Sequence, residues 1–220
     1  MHRNKPAPRD KSKQLDRRSY AFEVRAEHDD QTGYIITGRP IVYEQLTNLG
    51  YFDEIIARGA LDGTDLTDVR FLVNHDTGMI PLARSRRNNK NSTMQLTVDR
   101  DGMGIRVNLD VENNATARAL YSAVERGDIT GMSFMFSIDD EEWSDLESDH
   151  PKRTILKIGT VVEVSAVTFP AYEQTEISTR CKEALDSARQ AVDTARQQQG
   201  EVDTSALELE KLKAQYLYHI

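Results

Sequence analysis

Arg126-Gly-Asp-Ile-Thr-Gly-Met-Ser-Phe-Met-Phe-Ser137 is the stretch on which the reading of the chain turns. Gly127 closes a preceding helical pattern, and Ile129 to Ile138 then reads as a strand holding one small hydroxyl, Ser133, in an otherwise apolar run. A hydroxyl in such a run needs a partner. Phe71-Leu-Val-Asn-His-Asp76 offers one, because His75 stands at the polar end of a second short apolar run. Thr160-Val-Val-Glu-Val-Ser-Ala-Val-Thr-Phe169 adds an acid, Glu163, among strand-forming residues.

Working outward, strand signals dominate. Tyr20, Phe22 and Val24 alternate with Ala21, Glu23 and Arg25, and Tyr34 to Tyr43 reads as a strand pair or one long strand with a break at Gly38 and Pro40. Tyr51 to Ile56 reads as a strand, with Arg58-Gly-Ala-Leu61 turning into a short helix. Ile80 to Arg84 reads as an edge strand, since Pro81 cannot donate to a ladder. Met94, Leu96 and Val98, then Ile105, Val107 and Leu109, make a hairpin about Asp101-Gly102, with a loop longer than two residues expected. Asn113 or Asn114 caps a helix through about Arg126 that presents Ala119, Leu120, Ala123 and Val124 on one face. The acidic run Asp139 to Asp149 reads as a solvated loop, and Ile155 to Ile158 and Thr160 to Thr168 complete the strands.

The ends differ from this body. Residues 1 to 18 hold seven Lys/Arg against two acids and almost nothing to bury, so they read as a disordered basic arm without the apolar stretch of a secretory signal. From 179 to 220 the chain becomes helical in pattern. Cys181, Leu185, Ala188, Val192 and Ala195 recur at helical spacing and suit pairing with another helix, and Leu207 to Leu217 suggests a second, less regular one. The division is thus arm 1–18, body 19–178 and helical tail 179–220. In 220 residues this leaves one ordinary domain with its own core.

Composition excludes several classes. No apolar run approaches the roughly 20 residues of a membrane-spanning helix. A single cysteine, Cys181, rules out an internal disulfide and any multi-cysteine zinc site. The net charge is −8, and with about +5 on residues 1 to 18 the remainder carries about −13, which weighs against reading the basic arm as the mark of a nucleic-acid-binding module. The acidic 139–149 run lacks the spacing of a calcium loop, and Walker A, H-E-x-x-H and G-x-S-x-G patterns are all missing, the last because Met135 stands where glycine is required.

Ser133, His75 and Glu163 nevertheless form a chemical set. A serine hydroxyl becomes nucleophilic when a neutral imidazole accepts its proton, and a carboxylate fixes the ring tautomer and stabilises the imidazolium. Such triads occur in several chain orders. Ser137 and Ser165 compete as hydroxyls, Asp76 competes with Glu163 as orienter, and Glu163 also fits a strand residue facing solvent.

The ordered motifs Gly38-Arg-Pro-Ile-Val-Tyr43, Phe52-Asp-Glu-Ile-Ile-Ala-Arg-Gly-Ala60, Val73-Asn-His-Asp76, Pro81-Leu-Ala-Arg84, Leu120 to Phe134 and Val162 to Tyr172 together resemble the prohead, or capsid maturation, serine proteases of HK97-type tailed phages, a family compared with herpesvirus assemblins. The resemblance covers about 20 to 178 and departs where the family often has Gly in place of Met135 and Leu-Pro in place of Ile80-Pro81. It implies a mainly β fold with a few helices, a closed or partly open, mostly antiparallel β-barrel. It also implies a serine endopeptidase with Ser133 as nucleophile, His75 as general base and Glu163 as acidic partner, using no metal or organic cofactor. The implied partners are the major capsid protein or its scaffolding segment, a separate scaffold protein, and further copies of the protease. The implied location is inside the assembling procapsid in the host bacterial cytoplasm, with arm and tail trimmed by self-cleavage. The rival reading keeps the fold but makes the chain a non-enzymatic capsid- or scaffold-associated structural protein with 179–220 as its docking helix.

Overall fold

Residues 15–20, 24–169 and 180–198 are described by a computed structural model. In chain order they form β1 (Asp16–Tyr20), β2 (Val24–Asp29), β3 (Gly33–Val42), β4 (Thr47–Asn48), β5 (Asp53–Ile56), β6 (Asp68–Val73), β7 (Ala83–Arg86), β8 (Met94–Asp99), β9 (Gly102–Leu109), α1 (Ala115–Glu125), β10 (Gly131–Ser144) and β11 (Lys152–Val167). Residues 180–198 are helical and are called α2. The expected helix around Leu207 to Leu217 lies outside the described residues. No helix among the described residues is long and apolar enough to cross a membrane.

Two sheets carry the architecture. One follows the order β1-β10-β11-β5-β4, with β6 also paired to β11 and β7 to β6; the other is β2-β3-β9-β8. Most ladders are antiparallel, but β5 and β6 both run parallel to β11, using its two ends in turn. The mainly β class is as expected, whereas the sheets are not closed into a barrel. Where β7 approaches the start of β8, the amides of Arg84 and Arg86 donate to the hydroxyls of Thr93 and Ser92, each at 2.9 Å, so side chains occupy the donors that a closing ladder would need.

The principal core lies between the sheets, where Ile36, Phe71, Met94, Met103, Val107, Phe134, Phe136 and Val164 are buried together. Helix α1 begins at Asn114, whose side chain accepts from the amides of Thr116 and Ala117, and Gly127 follows its end at φ 77. Its buried face is Ala117, Leu120, Tyr121 and Val124. Of the expected face, Leu120 and Val124 are buried and Ala123 packs partly against the core, whereas Ala119 is exposed; the ring of Tyr121, packed edge-on to Tyr34 at 5.1 Å, takes its place.

Several local expectations need revision. Asp16, Arg17 and Arg18 fall within the arm expected to be disordered, yet they belong to β1, which pairs antiparallel with β10. The chain from Ala57 to Thr64 makes successive turns, Ala60 N to Ala57 O, Asp62 N to Gly59 O and Thr64 N to Leu61 O, and no short helix follows the turn at 58–61. The first half of the acidic run is strand: β10 continues to Ser144, with Glu141 and Trp143 buried. Strand alternation hides in that run because its inward positions include a charged residue whose partner, Arg153, lies on β11. Helix α2 packs Cys181, Leu185 and Ala188 against Phe52 and Trp143 in a second small core, on strands rather than on another helix.

The β8–β9 hairpin is tighter than expected, with two residues between Asp99 and Gly102. Gly102 has φ 134, and a Cβ there would fall well inside contact distance of the Ile41 carbonyl oxygen. Gly102→Ala is expected to destabilise the protein by about 3 kcal/mol, combining backbone strain with overpacking, as read from the urea midpoint at unchanged m-value.

Candidate active site

Strand parity assembles the first part of the site. In the β10–β11 ladder Ser133 lies opposite Ser165 and Met135 opposite Glu163. Side chains two residues apart share a sheet face, so Ser133, Ser165 and Glu163 project on the same side. On the other edge of β11, Ser165 pairs with Leu72 and Ala166 with Val73 of β6, which ends there.

A turn brings the imidazole over this face. Asn74 and His75 have φ of 51 and 58, both left-handed, which reverses the chain beyond β6. Asn74 tolerates that conformation well and His75 less so, at a cost of about 1 kcal/mol. The turn is tied down on all sides. Asn74 N donates to Ala166 O at 2.9 Å, Asn74 Nδ2 to Thr168 Oγ1 at 3.1 Å, and Thr168 N back to Asn74 Oδ1 at 2.9 Å. His75 N donates to Ser165 Oγ at 3.1 Å.

The three side chains then meet in line. His75 Nδ1 is hydrogen-bonded to Glu163 Oε1, and His75 Nε2 lies 2.5 Å from Ser133 Oγ. An ionised carboxylate only accepts, so Nδ1 carries the proton and Nε2 is left as an acceptor facing Ser133. Ser165 Oγ donates to Glu163 Oε2 at 2.6 Å and fixes the second carboxylate oxygen. Ser133, His75 and Glu163 are all buried, Ser133 with no exposed surface. A buried serine–imidazole–carboxylate line of this kind can transfer a proton from hydroxyl to ring during acyl transfer.

The competing candidates go elsewhere. Asp76 is exposed and accepts from Gly78 N at 2.9 Å. Ser137 Oγ accepts from Thr160 N at 3.1 Å. Ser165 is in the site, but as a clamp on His75 and Glu163. Among the described residues no cluster of three His, Cys, Asp or Glu side chains is arranged to hold a metal ion. Two neighbours that the sequence did not mark are Arg18, whose carbonyl oxygen lies 2.8 Å from Ser133 Oγ, and Ser19, whose hydroxyl donates to Ser133 Oγ at 2.8 Å. Only the ladder partnership of Ser19 with Ser133 reveals them.

The family model of the caudovirus prohead serine proteases matches residues 20–190. The chain belongs to this family. It is a serine protease of capsid maturation, and the match spans α1, the whole β10–β11 hairpin and the start of α2. Among solved structures, the bacteriophage T4 capsid assembly protease, gp21, aligns over 69% of this chain and 98% of its own at 12% identity, with a TM-score of 0.36. No curated protein matches the chain.

Ser165→Ala tests the clamp. Losing the hydroxyl frees both the His75 amide and one Glu163 oxygen, and an imidazole displaced by about 1 Å costs on the order of 10²-fold in rate. The expected result is a kcat about 100-fold lower, with KM little changed and stability lower by about 1–3 kcal/mol.

Proposed function

We propose that this prohead protease is a serine endopeptidase in which Ser133 is the nucleophile, His75 the general base and Glu163 the group that orients and stabilises the ring. The observation that carries this reading is the unbroken hydrogen-bonded line from Ser133 Oγ through both nitrogens of His75 to Glu163. Ser133 Oγ attacks the scissile carbonyl carbon as its proton passes to His75 Nε2. The ring returns that proton to the leaving amine, and a water activated by the same nitrogen hydrolyses the acyl-enzyme. Glu163 keeps the proton on Nδ1 throughout and balances the imidazolium.

The substrates are the scaffolding segment of the major capsid protein or a separate scaffold protein, and the protease's own chain. The setting is the interior of an assembling procapsid in the bacterial host. This reading draws on the family membership and on the sequence motifs that accompany the three residues.

Co-expression with the capsid and scaffold proteins, native against Ser133→Ala, tests it by mass spectrometry of all three proteins. Native enzyme is expected to yield truncated capsid or scaffold chains, and Ser133→Ala to leave every chain full length, with turnover at least about 10⁴-fold lower. Identical termini in the two samples refute the assignment of Ser133.

A further inference from the structure

Strand β1 ends the seven-stranded sheet and runs antiparallel along β10, with Ser19 opposite Ser133 and Arg18 opposite Phe134. Here the two residues flanking one peptide bond also touch the nucleophile, Arg18 through its carbonyl and Ser19 through its hydroxyl, each at 2.8 Å from Ser133 Oγ. An extended peptide laid on a sheet edge, with alternate side chains entering pockets, is a common mode of peptide capture.

The Arg18 side chain enters such a pocket. It is 3% exposed, its Nε lies 2.5 Å and its Nη2 2.7 Å from the two oxygens of Glu54, and its guanidinium sits 5.7 Å from the centre of the Phe136 ring. Burial would lower the affinity of this guanidinium for its proton, but the Glu54 carboxylate outweighs burial and holds the group above its ordinary value. The bidentate fork fits arginine better than lysine. Glu54 also accepts from Arg153 Nη1 at 3.3 Å, and Arg153 in turn binds Glu141. All four groups are buried. Two arginines therefore balance two glutamates, and removing Arg18 leaves an excess buried negative charge that an incoming cation relieves.

We propose that the strip of β10 filled by β1 is the peptide-substrate cleft, that Glu54 selects arginine for the residue whose carbonyl meets Ser133, and that Arg18–Ser19 is a bond the enzyme cuts in its own chain. This rests on Ser133 as nucleophile and names the substrate class of that site. In the reaction Ser133 Oγ bonds to the Arg18 carbonyl carbon as its proton moves to His75 Nε2. The bond from that carbon to Ser19 N breaks, and the nitrogen takes the proton from Nε2 to become a new amino terminus. Water then cleaves the ester, giving one proton to Nε2 that returns to Ser133 Oγ, and leaves Arg18 with a free carboxylate. Glu54 is a specificity residue and takes no part in the proton transfers.

Two measurements on the full chain test this. Intact mass and amino-terminal sequencing are expected to find a species beginning at Ser19 in the native protein and none in Ser133→Ala. A peptide carrying the sequence of residues 15–20 is expected to be cut by native enzyme with a kcat/KM roughly 30-fold or more above that of the same peptide with alanine at the Arg18 position. Glu54→Gln is expected to shrink that ratio to a few-fold, with circular dichroism checking that it folds; should it not fold, the peptide pair on native enzyme decides. If native enzyme cuts scaffold while Arg18–Ser19 survives and both peptides are cut equally, this inference is wrong and the serine-peptidase reading stands. If nothing is cut and a fluorophosphonate leaves Ser133 unmodified, both fall.

Discussion

Register between β10 and β11 is the constraint on which the site depends. Because successive side chains on a strand face opposite ways, a slip of one residue would send Ser133 to the far face while Glu163 and Ser165 stayed put. The ladder is regular from Gly131 to Met135, and its bulges begin only beyond Met135. The irregular stretch lies in the middle of the hairpin, starting just past the Met135–Glu163 pair and ending at Glu141. From Glu141 to Ser144 the register is regular again, where Trp143 joins the second core and Arg153 binds Glu141. Twist and bulging are thus taken up between the two regular stretches.

The histidine is set by a different device. A ring on β6 itself would share the strand's alternation and could not reach across β11 to β10. Two consecutive left-handed residues carry it there, and the strain of His75 is held by hydrogen bonds from Asn74 to Ala166 and Thr168 and from His75 N to Ser165. Ser165 serves both devices, since the same hydroxyl receives the His75 amide and donates to Glu163.

The three side chains that meet in the candidate site stand out in the sequence because each interrupts a local pattern: a hydroxyl in an apolar strand, an imidazole at a strand end, an acid among β-branched residues. The hairpin of β8 and β9 and the Asn114 cap were readable for similar reasons. What escaped reading depends on pairing across long separations. Arg18 counts as one more solvated cation in a basic segment until Glu54, 36 residues away, is seen beside it. Glu141 looks like part of a solvated acidic run until Arg153 comes alongside. The open sheets in place of a barrel reflect the hydroxyls of Ser92 and Thr93, which no periodicity announces. The departure of Met135 from the family pattern becomes intelligible too, since it is buried opposite Glu163, beside the carboxylate that the ring depends on.

The parallel pairing of β6 with β11 has a consequence for timing. His75 acquires its final position only when residues 163–166 are available to flank β6, so the candidate site draws on segments separated by 88 positions and cannot form from the first half of the polypeptide. Non-local parallel pairing of this kind is also slow to form. A nascent chain still short of β11 therefore lacks the strand that receives the Asn74–His75 turn, and the candidate site takes shape only after the last strand has been made.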